Sequence, residues 1–160
     1  MRFKLAASAL AIAAVSAAAV PALTGAQAPG PRDVTLRMKV LNAADIEHGA
    51  KGPKMATGDR LVVRLSAFDV SGPRVGSAYL ECTNIGPKAA PPRAWLQCIQ
   101  TYTLRDGQIV TAGVFRFVDM DKLNVAVVGG TGAYAGAGGS LTNGAPVQGF
   151  DSVDVIHLDG

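Results

Sequence analysis

Aromatic residues make up only 6% of the chain, with one tryptophan, and charged residues only 17%. Two cysteines and two histidines are the only thiols and imidazoles in 160 residues. With no C-x-x-C spacing and no clustered histidine, that inventory excludes a structural zinc site. No metal and no other cofactor is expected. Beyond the N-terminal segment no ten-residue stretch repeats its apolar residues at a helical period, which excludes a helix bundle and an alternating α/β fold. The formal charge of +3 falls to about +1 once Arg2 and Lys4 leave with a leader, so no nucleic-acid surface is implied. No G-x-S-x-G context supports a serine nucleophile.

What the sequence has first is an export signal. Arg2 and Lys4 precede an apolar, alanine-rich run from Leu5 to Val20, and Pro21 ends it. The run is shorter than the ~20 residues of a spanning helix and nothing later replaces it, so no stable membrane insertion is expected after its removal. Two cleavage points fit. Ala26-Gln27-Ala28 would place Pro29 after the cut, whereas Thr24-Gly25-Ala26 cuts before Gln27 and is preferred. Residues 1–26 are thus read as a signal peptide and 27–160 as one secreted domain of 134 residues, enough for a core of its own.

Glycine is plentiful, with 19 in the chain, and it peaks in Val125 to Gly139, VAVVGGTGAYAGAGG. Gly129, Gly130, Gly132 and Gly136 leave the backbone bare where a sheet is expected to turn a corner. A dinucleotide fingerprint is excluded. The spacing is Gly130-x-Gly132-x-x-x-Gly136, and the 21 residues after Gly139 cannot complete a βαβ unit.

Elsewhere the pattern has period two. Val34 to Val40, Arg60 to Ala67, Arg74 to Asn84 and Trp95 to Leu104 read as strands, with Asn42 to Gly58 a long loop. Arg105-Asp106-Gly107 turns the chain into Gln108 to Phe117. Leu123 to Val128, a short strand near Ser140 to Thr142, a turn at Asn143-Gly144, and Phe150 to Leu158 follow. About eight strands with short connections make an all-β, up-and-down antiparallel barrel.

A barrel of that size is filled by side chains or holds one small ligand, and composition leaves both open. Export to an oxidising compartment implies a Cys82–Cys98 disulfide between neighbouring strands. Both cysteines then point inward, with Ala78, Leu80, Leu96, Gln100, Tyr102 and Leu104 on the same faces. The cavity candidates are Asn42, Leu65, Leu80, Gln100, Tyr102 and Thr111. His48 is read as a solvated loop residue and His157 as a rim residue. Asp69 and Asp119 belong to turns, and Trp95 alternates away from Cys98.

Several of these pieces resemble the allene oxide cyclase and dirigent barrels. They are Gly58-Asp59, Arg74-Val75-Gly76, Gly107-Gln108-Ile109, the corner Val127-Val128-Gly129-Gly130-Thr131-Gly132, and the closing Asp154-Val155-Ile156-His157-Leu158. The resemblance runs from about Met38 to Leu158. It implies an eight-stranded, calycin-type barrel with an apolar central cavity, commonly trimeric. The cyclases' Glu-x-Asn pair becomes Val40-Leu41-Asn42 here, and Cys82 falls where they carry a pocket cysteine. Arg64-Leu65 stands in place of the dirigent acid pair, and Gly138 replaces the arginine after the corner. The expected function is a secreted barrel that binds a small hydrophobic or phenolic molecule and orients it for cyclisation or coupling. Alternatives are a catalytic cyclase or isomerase, and a non-catalytic envelope barrel that assembles as a homotrimer or homodimer through outward residues such as Val62, Val110 and Val114.

Overall fold

The computed structural model describes residues 30–46 and 54–159; residues 1–26, where a signal peptide is expected, and His48 lie outside them. Eight strands follow one another: β1 Arg32–Ile46, β2 Arg60–Asp69, β3 Arg74–Asn84, β4 Trp95–Leu104, β5 Gly107–Arg116, β6 Asn124–Gly132, β7 Gly139–Gly144 and β8 Ser152–Leu158. Each pairs antiparallel with the next, and β8 closes on β1 through Arg32 opposite Leu158 to Met38 opposite Ser152. Closure gives each strand a neighbour on both sides, although the β1–β8 ladder stops at Met38 and the rest of β1 pairs with β2 alone. Among the described residues no helix is long and apolar enough to cross a membrane.

Three segments differ from the sequence expectation. Asn42 does not open a loop: β1 continues to Ile46, with Asn42 opposite Arg64 and Ile46 opposite Arg60. A bulge between Val40 and Asn42 shifts the register there, which breaks the period-two signal while the ladder goes on. The glycine stretch also begins as strand. Gly129, Gly130 and Gly132 pair with Val110, Ile109 and Gly107, and the chain turns only after them, at residues that include Gly136. Gly132 has φ +63°, and a Cβ there would stand 2.3 Å from the Asp106 carbonyl oxygen, so glycine is required by conformation and by space. Asn143 and Gly144 likewise complete β7 rather than turn it.

Cys82 and Cys98 are directly opposed on β3 and β4 with Cα atoms 4.0 Å apart, and they form a disulfide. Both are buried, so the bridge lies on the inner wall. Inward positions of neighbouring strands fill the barrel unevenly. Met38, Ala67, Ala78, Tyr102, Ile109 and Ile156 are all at 0% exposure and pack one half solid. Tyr134 and Ala137, from the turn after the glycine stretch, join that packed core. Leu61, Val63, Leu65 and Leu80, in the other half, keep 7–8% exposure because they face open space.

Candidate functional site

The open half is a cavity of about 590 Å³. Its walls are the inward residues Leu61, Val63, Leu65, Leu80 and Leu141. Its mouth is framed by Met55, Pro91, Phe117, Met120 and Pro146 from the connections at that end of the barrel. These connections are tied down by two amides, Asn84 buried and Asn143 half-buried. Asn84 donates from Nδ2 to the carbonyls of Met55 and Ala56 at 3.2 and 3.0 Å. Asn143 accepts from the Leu123 amide at 2.8 Å and donates to the Met120 carbonyl. Both side chains satisfy loop backbone that would otherwise be costly to desolvate.

One charged group sits deep inside. Asp154, in the middle of β8, is 4% exposed and lines the cavity. The Tyr102 hydroxyl donates to its Oδ2 at 2.6 Å, and the Gln100 amide approaches the same oxygen at 3.4 Å. The Ser152 hydroxyl donates to Oδ1 at 3.1 Å. Strands β4 and β8 stand four places apart either way round the barrel, so the Tyr102–Asp154 bond spans its interior. Burial pushes the Asp154 carboxyl above the ordinary carboxylate value, while the bonds from Tyr102, Ser152 and Gln100 pull it down. Burial, then the Asp154 charge, push the Tyr102 phenol well above its ordinary value, so this hydroxyl stays a donor. A carboxyl raised in this way, facing an apolar chamber, can give or take a proton from a molecule held there.

The sequence-derived candidates separate into groups. Leu65, Leu80 and Gln100 line the chamber. Tyr102 is wholly buried and reaches the site through Asp154. Thr111 is buried on β5 opposite Gln100, against a void too small for a ligand. Asn42 is exposed and lies outside the cavity, since the bulge beside Val40 resets which side of β1 faces inward. Asp154 was not among the candidates. Its signal was present all the same: it alternates with Ile156 and Leu158, both apolar and inward, so an acid in that phase has to point into the barrel. His157 faces the other way, with Nδ1 2.8 Å from Asp33 Oδ1. Cys82, being bridged, offers no free thiol.

Solved structures with this barrel include a pyocyanin demethylase, 26% identical, with a TM-score of 0.66 over 79% of this chain and 99% of that one. The pterocarpan synthase dirigent protein GePTS1 is 16% identical, with a TM-score of 0.62 over 88% of this chain and 95% of that one. AbnU, an exo-specific intermolecular Diels-Alderase, is 16% identical, with a TM-score of 0.58 over 82% of this chain and all of that one. The last two share the fold. No curated protein sequence matches the chain. The profile described as the allene oxide cyclase barrel like domain matches residues 37–148, so this chain belongs to the allene oxide cyclase-like barrel family.

Proposed function

We propose that this protein is an extracytoplasmic barrel that takes one small, largely apolar or phenolic molecule into the open half of its interior and orients it for cyclisation or coupling. The observation that carries the reading is the pairing of a 590 Å³ aliphatic chamber with a deeply buried acid on its wall, Asp154. The aliphatic walls supply affinity through burial of apolar surface, roughly 25 cal/mol per Å². Asp154 and Gln100 supply the polar contacts that fix orientation. The leader-like N-terminus and the Cys82–Cys98 bridge support export.

A second reading, a true cyclase or isomerase, is favoured by Asp154 itself. An apolar cavity that fixes a reactive conformer needs little beyond one proton donor or acceptor. Similar barrels that act on small molecules, the demethylase and the Diels-Alderase among them, support either reading.

Native mass spectrometry of the protein purified from its own host, with Nile red binding alongside, tests the proposal. One small molecule per chain, released on denaturation and replaceable by Nile red, is the expected result. Protein that is unliganded and binds no Nile red would overturn it.

A further inference from the structure

We infer that the cavity selects its ligand by charge: it accepts cationic or neutral molecules bearing an N–H or O–H donor and rejects carboxylates. This rests on the proposed binding reading and names the ligand class within it. Among the described residues, the charged side chains lining the chamber are Asp121, Asp151 and Asp154, and no lysine, arginine or histidine lines it. Asp154 is deep, while Asp121 and Asp151 are exposed at the mouth, so a ligand passes two acids and meets a third.

Described cations that adjoin lining residues in the chain are turned to other tasks or to solvent, Arg60 toward Glu81 among them. Arg116 is paired with Asp119 at 2.9 Å, and Lys54 and Lys122 are exposed next to lining residues without lining the chamber themselves. An anion entering this space would lose its hydration and find no cation among the described lining residues to replace it, a costly transfer. A donor gains instead. The polar groups around Asp154 already supply three donors to its two oxygens, and the remaining lone pairs of the carboxyl accept a further N–H or O–H. An ammonium adds Coulomb attraction in a space with little water to screen it.

The experiment compares three probes that share a naphthyl ring: 2-naphthylmethylamine, 2-naphthylmethanol and 2-naphthoate, titrated calorimetrically at mildly alkaline pH. The expected order is amine, then alcohol, then carboxylate, with the amine at least tenfold tighter than the carboxylate. Asp154→Asn should bring amine and alcohol to similar affinity. The exposed pair gives a second handle that does not touch the core: Asp121→Asn with Asp151→Asn narrows the amine-to-carboxylate ratio. Equal affinity for all three probes, or tightest binding of the carboxylate, would overturn charge selection and leave the cavity reading standing. No binding of any probe would overturn the cavity reading itself.

Discussion

Tyr102 and Asp154 meet across the barrel, hydroxyl to carboxyl at 2.6 Å, from strands on opposite walls. The contact marks the level at which packed core gives way to open chamber. Because the phenol stays protonated, it acts as a fixed donor that stabilises the ionised form of its neighbour. Replacing it, Tyr102→Phe, leaves Asp154 with Gln100 and Ser152 only. The expected result is a higher Asp154 pKa, read from the carboxyl 13C resonance, with a stability loss of about 1–2 kcal/mol. A pKa that falls or stays put would show that the hydroxyl does not govern this carboxyl.

The same carboxyl makes stability depend on pH. Its pKa in the folded state lies above the ordinary 3.8 of the unfolded chain. Below that value both states hold the proton and no difference arises. As pH rises from there toward the folded value, the unfolded chain gives up its proton first and folding loses stability. Asp154→Asn cannot titrate, so the variant should gain on the wild type as pH climbs through this interval. Denaturation midpoints across acidic to neutral pH check this. Parallel curves for the two proteins would remove Asp154 as the source.

The disulfide closes a loop over a sequence separation of 16 and sits on the inner wall between β3 and β4. Replacing both cysteines with alanine is expected to lower unfolding free energy by ~3 kcal/mol while leaving the barrel closed. Chemical denaturation of the two proteins measures it. A difference below about 1 kcal/mol would mean that the ladder alone fixes this corner.

Much of the fold was legible from alternation. β3 and β4 have the bounds their period-two pattern implies, because an uninterrupted ladder keeps side chains strictly in phase. β1 became unreadable at Val40, where one bulge inverts the phase, and Asn42 was placed inside when it is outside. Asp154 is hard to read for another reason: its phase with Ile156 and Leu158 points inward, but an acid ordinarily faces solvent. Whether the interior was solid or hollow could not be read, since Met38 and Leu65 belong to the same aliphatic pattern. What leaves Leu65 facing space is the mouth, where Phe117, Met120 and Pro146 frame the opening instead of filling it, and that is set by tertiary packing.

Leu80 stands on the cavity wall, which makes it the place to close the chamber without disturbing Asp154. The most direct measurement is calorimetric titration of the neutral probe 2-naphthylmethanol into wild type and into Leu80→Trp, with circular dichroism confirming the fold of both. A bulkier side chain entering existing space should cost little stability, unlike overpacking of a filled core. The account predicts saturable binding of one molecule per chain to the wild type and at least a tenfold loss in Leu80→Trp. Absence of saturable binding to the wild type, or undiminished binding to Leu80→Trp, would contradict it.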